Sequence, residues 1–367
     1  MRIGIILTGD YGWAGGVYYA FNVIKLLQDI SLTKELKIIV IVNSFTPQEL
    51  INGLRQKNTE FCSLDKKSFF YRLYHKIRND RFIADINALS LDVVYPMMSF
   101  DESHFKLNCK AYYWLYDFQH KFLPGLFKEE EIKKRERVFE QIAAKAQVIV
   151  FSSNDALSHF NRYYPASNAE RHVFNFVSLL DHNFDLDKTT IHTPRDYFIV
   201  CNQFWPHKNH LVVLKALDQL LKQKKSVHVV FTGRYDDERN KTYVDELNEF
   251  INRNHLQKHV TFTGFISREE QVTLMANAMA MIQPSFFEGW STVIEDAKAL
   301  NKFLLASDIA VNREQIKKNV RFFKPDDSEQ LAAQLAEIYE GKINVVATDY
   351  TGNITTAKND LIKLFKI

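Results

Sequence analysis

The sequence predicts an α/β protein made of two doubly wound, Rossmann-like domains, and three observations predict it. The chain has 367 residues, more than one hydrophobic core usually serves. Short apolar runs alternate with amphipathic helical stretches almost throughout, the rhythm of parallel sheets covered on both faces. The rhythm breaks once, over residues 178–195, and then restarts with a second first strand.

In the first domain, residues 2–7, 37–42, 92–95, 110–115 and 147–151 read as buried strands. They are short, β-branched or aromatic, and bounded by turn formers. Helical patterns lie near 15–30, 66–88 and 128–145. Residues 178–195 hold Asp, His, Thr and one Pro with little periodicity, which predicts an interdomain linker and hinge. Beyond it the run Tyr197 to Cys201 starts a new sheet, with strands at 226–231, 259–262, 279–282 and 302–305 and helices near 207–223, 240–255, 268–277 and 291–299. The stretch 351–366 is helical and amphipathic and is expected to pack back on the first domain. The domains are then 1–180 with 351–367, and 190–350. Open parallel sheets take ligands outside the carboxyl ends of their strands. Two such sheets facing each other would frame one deep cleft, with a nucleotide on one wall and a second substrate on the other.

Composition narrows the function. Hydrophobic residues make up 46% and charged residues 25%, ordinary for a soluble globular protein. A net charge of +3 and a pI near 8.5 are too weak to argue for nucleic acid, yet permit contact with an anionic bilayer or substrate. The clusters Lys133-Lys134-Arg135 and Lys222 to Lys225 read first as solvated helix faces and second as membrane contacts. Cys62, Cys109 and Cys201 form no C-x-x-C pair and fit no zinc site, as expected in a reducing compartment. The apolar run after Met1 is too short for a signal-peptide core, and no run approaches the roughly 20 residues a membrane helix needs. The expected setting is cytoplasmic, with a peripheral contact at the inner face of the membrane.

Four loops at predicted strand ends carry the candidate chemistry. The first is Gly9-Asp10-Tyr11-Gly12-Trp13-Ala14-Gly15-Gly16. Glycines let backbone N–H groups approach a ligand, with a helix N-terminus behind them. The spacing is not G-x-G-x-x-G, so the dinucleotide fingerprint is missing. A tight strand-to-helix turn and a loop touching acceptor or donor phosphates both stay open. The second loop, Tyr116 through Pro124, follows the strand Tyr112-Tyr113-Trp114-Leu115 and sets Asp117 and His120 at a strand's carboxyl end. The third, Asn202-Gln203-Phe204-Trp205-Pro206-His207-Lys208, leaves the second domain's first strand. Pro206 suits a helix start, which would put Lys208 in a first helical turn, where the dipole favours anions. A phosphate bound between the lysine and the helix end would resolve that conflict; a solvated lysine is the alternative. The fourth, Ile282 through Ala297, runs strand, loop, glycine turn, helix. Gly289 suits the sharp turn before Trp290, and Ser291 the N-cap. Free N–H groups near Ser291, Thr292 and Val293 would form an anion site for a diphosphate. Glu288 and Glu295, seven positions apart, offer carboxylates that each accept two hydroxyl donors, which suits a sugar diol. Glu295 is expected on a side that faces the cleft.

These residues resemble a known family. Phe287-Glu288-Gly289-Trp290-Ser291 followed by Glu295-Asp296-Ala297 is similar to the retaining GT-B glycosyltransferases. The likeness is to glycosyltransferase family 4 in particular, and to its bacterial surface-polysaccharide members. The pair Glu288 and Glu295 is read as that family's E-x7-E motif. The segment Asp117-Phe118-Gln119-His120 resembles its active-site histidine loop, Gly15-Gly16 its N-terminal glycine loop, and Lys208 its diphosphate-binding lysine. The resemblance implies GT-B architecture, two Rossmann-like domains facing a central cleft. It implies a retaining hexosyltransferase that moves a sugar from a nucleoside-diphosphate sugar to a glycan or lipid-linked acceptor, in lipopolysaccharide, O-antigen or capsule synthesis. Glu288 would then bind donor-sugar hydroxyls, Glu295 the ribose and Lys208 the diphosphate. His120, with Asp117 near it, would lie by the reacting carbon.

One position departs from the family. An arginine usually stands five residues before the lysine, and here Gln203 does. Arg234, after a later strand end, is the expected replacement cation. No D-x-D-like metal site stands where the phosphates should lie, and Asp236-Asp237 reads as a loop or helix start. The reaction is therefore expected to need neither metal nor a cofactor beyond the nucleotide-sugar. Two other readings stay open. An epimerase would convert the nucleotide-sugar without an acceptor. A catalytically inactive sugar-nucleotide-binding protein would bind donor without turnover, and Gln203 favours it.

Overall fold

The protein is described by a computed structural model over residues 1–9, 12, 14–64, 81–180, 189–235 and 241–367. It divides into two compact units, Met1–Leu179 with Thr351–Ile367, and Leu180–Tyr350. Residues 66–80 of the expected helix near 66–88, residues 181–188 of the expected hinge, and Asp236-Asp237 lie outside the described residues.

The first unit is a seven-stranded parallel sheet in the order β3-β2-β1-β4-β5-β6-β7. Its strands are β1 Arg2–Ile6, β2 Lys37–Val42, β3 Thr59–Ser63, β4 Val93–Met97, β5 Lys110–Leu115, β6 Val148–Phe151 and β7 Glu170–Val173. The helices α1 Ala14–Ile30, α2 Gln48–Gly53, α3 Arg81–Asn87, α4 Gln119–Phe122, α5 Glu129–Lys145 and α6 Asn154–Tyr163 cover it. Central strands are buried on both faces and need no alternation, so β4 is buried at every residue. The C-terminal helix Thr351–Phe365 belongs to this unit. Lys358 on it pairs with Asp29 at 2.9 Å, and the Phe365 ring stacks on Tyr112 with centroids 5.8 Å apart.

The second unit is a six-stranded parallel sheet in the order β10-β9-β8-β11-β12-β13. Its chain runs β8 Phe198–Cys201, α7 His210–Lys222, β9 Val229–Thr232, α8 Lys241–Arg253, β10 Val260–Gly264, α9 Arg268–Asn277 and β11 Ala280–Gln283. It continues α10 Thr292–Ala299, β12 Leu304–Ser307, α11 Ala310–Gln315, β13 Val320–Phe323 and α12 Ser328–Tyr339. Alternate residues of β8 serve two different cores. Phe198 and Val200 pack with Leu214, Leu217 and Leu335 on one face. Tyr197, Ile199 and Cys201 pack with Leu274, Met275 and Ile294 on the other. Each such side chain contributes about 1.5–3 kcal/mol of burial.

The interior strands expected from the sequence are present. The strands it lacked, β3, β7 and β13, are all sheet edges. Their residues are mostly half-buried and interrupted by polar side chains, so they leave no continuous apolar run. Among the described residues no helix is long and apolar enough to cross a membrane.

Candidate active site

In the second unit the strand order reverses about β8, with β9 on one side and β11 on the other. Open α/β sheets bind ligands beyond the carboxyl ends of the strands at such a point. Three loops leave those ends: 202–209 after β8, 233–235 after β9 and 284–291 after β11.

The first loop is shaped by backbone constraints. Gly233 has φ +140, and a Cβ there would fall 2.2 Å from the Asn202 carbonyl oxygen, so only glycine lets the loops after β8 and β9 approach this closely. Pro206–Lys208 form a 3-10 turn, Asn209 is left-handed with φ 55 and ψ 43, and α7 begins at His210. Lys208 therefore precedes the helix, where the sequence placed it in the first turn; the expected conflict with the helix dipole does not arise. The break is made by Asn209, a residue type that tolerates left-handed backbone. Its side-chain amide donates to the carbonyls of Pro284 at 3.1 Å and Pro325 at 2.7 Å.

Lys208 Nζ instead meets Glu288 Oε1 at 2.6 Å, joining loops 80 positions apart. Gln283 Nε2 donates to the same oxygen at 2.7 Å and to Ser285 Oγ at 3.1 Å, and Asn202 Nδ2 donates to Gln283 Oε1 at 3.0 Å. Phe286 N–H donates to the His207 carbonyl at 2.8 Å, lacing the two loops by backbone as well. The lysine and glutamate side chains are 19% and 8% exposed, so their charges interact with little solvent screening. Two of the residues expected at one site are thus in contact. Gly289 and Trp290, in the turn that follows, are half-buried.

The helix tip differs from expectation in one respect. Ser291 is the N-cap, its hydroxyl accepting from Ile294 N–H. Its own N–H is not free: the buried amide of Gln315 accepts from it at 3.0 Å and donates back to the Ser291 carbonyl at 2.7 Å. Among the described residues, the N–H groups of Thr292 and Val293 remain without a partner, as is usual for the first N–H groups of a helix.

The acids behind the tip also need revision. Six residues, not seven, separate Glu288 from Glu295; strict E-x7-E spacing ends at Asp296. Glu295 is 1% exposed and does not face open space. It accepts from Lys298 at 2.8 Å, Gln315 at 3.0 Å and the Tyr350 hydroxyl at 2.6 Å. Asp296, equally buried, takes a two-pronged contact from the Arg268 guanidinium, one arm at 2.8 Å. Burial pushes the Cys201 thiol, at the carboxyl end of β8, up; the Asp296 carboxylate adds to this and Arg268 opposes it. Gln203 accepts from the Trp205 indole at 2.9 Å and brings no cation. The Arg234 carbonyl accepts from Phe204 N–H at 3.3 Å, which ties Arg234 to the same loop, and its guanidinium lies 5.7 Å from the Phe265 ring centroid.

In the first unit, Asp117 Oδ1 accepts from Gln119 N–H at 3.1 Å and so fixes the start of α4. His120, expected by the reacting carbon, is buried at 1% exposure on that short helix. Its ring meets Phe139 edge-on at 5.2 Å, and its Nε2 lies 3.4 Å from Glu136 Oε1. Burial pushes its pKa down to about 4 despite the Glu136 carboxylate, which acts the other way. Both ring nitrogens lack a hydrogen bond among the described residues. Gly15 and Gly16 lie in the first turn of α1, not in a loop before it, because the helix starts at Ala14. Residues 10, 11 and 13 of that glycine cluster lie outside the described residues.

Sequence reasoning gave no role to Gln283, Asn202 and Asn209 within its loops and missed Asn312 and Gln315; these are the buried amides that hold the loops. Asp296 was legible by counting. Gln315 had no signal, since the six residues of α11 are too few for a helical period.

Residues 181–356 match the family described as "Glycosyl transferases group 1". The O-antigen chain mannosyltransferase RfbU of Salmonella typhimurium is 27% identical over 148 residues, 39% of this chain and 38% of that protein, so the match spans well under half of the relative's length. A glycosyltransferase from Rickettsia africae superposes over 99% of this chain and 93% of its own, with a TM-score of 0.64 and 17% identity. Anabaena HepE, solved in complex with UDP and glucose, superposes over 98% of this chain and 93% of its own, with a TM-score of 0.65 and 18% identity. Residues 181–356 thus carry a domain that matches the group 1 glycosyl transferases, and the chain has the GT-B fold of these solved structures.

Proposed function

We infer that the protein is a retaining hexosyltransferase acting in surface-polysaccharide synthesis. It takes a sugar from a nucleoside-diphosphate sugar and gives it to a glycan or lipid-linked acceptor. The observation that carries this reading is the Lys208–Glu288 pair, 2.6 Å apart, in the same unit as the free N–H groups of Thr292 and Val293. The O-antigen relative and the UDP-bound neighbour agree with it.

In the reaction, the bond from the sugar's anomeric carbon to the diphosphate breaks and a bond to the acceptor oxygen forms on the same face. The acceptor's proton passes to the departing phosphate oxygen. Negative charge builds on the diphosphate, and Lys208 with the two N–H groups stabilises it by fixed charge and dipole. Arg234 is the second cation in place of the missing arginine at 203. These groups take the role a metal plays elsewhere, so turnover should persist in chelator. Glu288 Oε2, which has no partner among the described residues, accepts a donor-sugar hydroxyl. For the ribose, the strict motif spacing favours Asp296 over Glu295; both are buried, Asp296 held by Arg268 and Glu295 by three donors. His120 and Asp117 remain the candidates nearest the reacting carbon. His120 is neutral at ordinary pH, so it serves as a hydrogen-bond partner and not as a charge.

The test is a transfer assay with radiolabelled UDP- and GDP-hexoses and lipid-linked acceptors. Lys208→Ala and Glu288→Ala should each lower kcat/KM by about 100- to 1000-fold, the scale of losing one charge-stabilising contact. Wild-type turnover in either variant contradicts the assignment. Donor binding without transfer to any acceptor would instead support the binding-protein reading that Gln203 favours.

A further inference from the structure

The polar cluster behind the helix tip is not used by the reaction above. Gln315, the last residue of α11, is 4% exposed, and both ends of its amide are engaged. Oε1 accepts from Ser291 N–H at 3.0 Å; Nε2 donates to the Ser291 carbonyl at 2.7 Å and to Glu295 Oε1 at 3.0 Å. Glu295 carries the chain onward to Lys298 and, through its other oxygen, to the Tyr350 hydroxyl at 2.6 Å.

The segment before Tyr350 is itself pinned. Val346 exchanges both backbone bonds with the Asn319 side chain at 2.8 Å, and Thr348 donates to Asn301 Oδ1 at 2.9 Å. Three residues earlier on α11, Asn312 donates to the Ser307 carbonyl at 2.9 Å, and the Ser307 hydroxyl donates to the Ser285 carbonyl at 2.6 Å. One short helix therefore holds the donor loop at both ends, Ser285 and Ser291. A buried amide with every polar end satisfied fixes the geometry of what it touches, because each alternative leaves an unpaired group in a low dielectric.

We propose that Gln315 is a positioning residue for donor binding. It clamps Ser291 directly and Glu295 through a side-chain bond, so that the neighbouring N–H groups of Thr292 and Val293 stay aimed at the diphosphate. Glu295 serves this brace and does not touch the ribose. The inference rests on the donor reading above.

Its test is calorimetric binding of UDP and GDP, and of their 2′-deoxy and 3′-deoxy counterparts, to the full chain and to Gln315→Leu, Glu295→Ala and the double variant. Each single change is expected to raise Kd about 10-fold, and the double change hardly further, since coupled residues are non-additive. The preference for ribo- over deoxyribonucleotides is expected to survive in both singles and to vanish in Asp296→Ala. Kd within twofold of wild type in Gln315→Leu, additive effects in the double variant, or loss of ribose preference in Glu295→Ala would each overturn the proposal. Should Gln315→Leu fail to fold, Gln315→Asn keeps a neutral amide and applies the same test by shortening its reach to Ser291 and Glu295. A wild-type protein that binds neither nucleotide sinks the donor reading, and this proposal with it; intact binding with indifferent variants sinks this one alone.

Discussion

Lys208 and Glu288 depend on each other for their burial. Removing the lysine leaves a carboxylate at 8% exposure with, among the described residues, the Gln283 amide and no counter-charge. Beyond the catalytic loss, Lys208→Ala should therefore cost about 1–3 kcal/mol of stability, the scale of an unpaired hydrogen bond to a charged group. Lys208→Ala with Glu288→Gln should recover most of it in urea denaturation without recovering transfer. A second residue-scale effect concerns protons. Burial pushes His120 down to about 4 and His210, stacked on Phe204 at 4.3 Å, to about 3. The unfolded chain takes these protons first. Stability is then full above the unfolded value of about 6.5 and falls as pH drops through the window down to the folded values, by up to about 1.4 kcal/mol per pH unit for each histidine. Urea midpoints at pH 7 and pH 5 should show the loss, and His210→Phe should flatten it; an unchanged slope in that variant would remove His210 from the account.

Single left-handed residues decide how the site's elements meet. Gly233→Ala would press a methyl into the Asn202 carbonyl at a φ of +140, where L side chains are strained. The expected cost is about 1–3 kcal/mol, and donor affinity should fall with it because Asn202 leads into the Lys208 loop. Thermal melts with and without UDP or GDP would read both effects, and a variant with wild-type values would show that the loops after β8 and β9 do not need this approach. At this scale much was legible in the sequence. Interior strands announce themselves as unbroken apolar runs, and the N-cap Ser291 precedes a helix as written. The edge strands β3, β7 and β13 stayed hidden because half-buried edges mix polar with apolar residues. The start of α7 was misplaced because Pro206 suits a helix and a 3-10 turn equally; Asn209, anchored by Pro284 and Pro325 far along the chain, settles the matter. The burial of His120 was hidden for a similar reason: its place at a strand end is local, but its covering comes from Phe139 on another helix.

Taken whole, the chain carries the residues proposed to hold the diphosphate, donor sugar and ribose in one unit. Lys208, Arg234, Glu288, Thr292, Val293 and Asp296 all fall within Leu180–Tyr350. They also fall within the group 1 domain. The central claim is that a diphosphate sits on the two free N–H groups of α10 with Lys208 as its counter-charge. Hydrogen exchange of the full-length chain, with and without saturating UDP or GDP, tests it most directly. Thr292 and Val293, unpaired in the free protein, should exchange markedly more slowly when nucleotide is bound, and Lys208→Ala should abolish that protection at the same nucleotide concentration. Nucleotide binding that leaves both amides exchanging at their free rate would contradict the account.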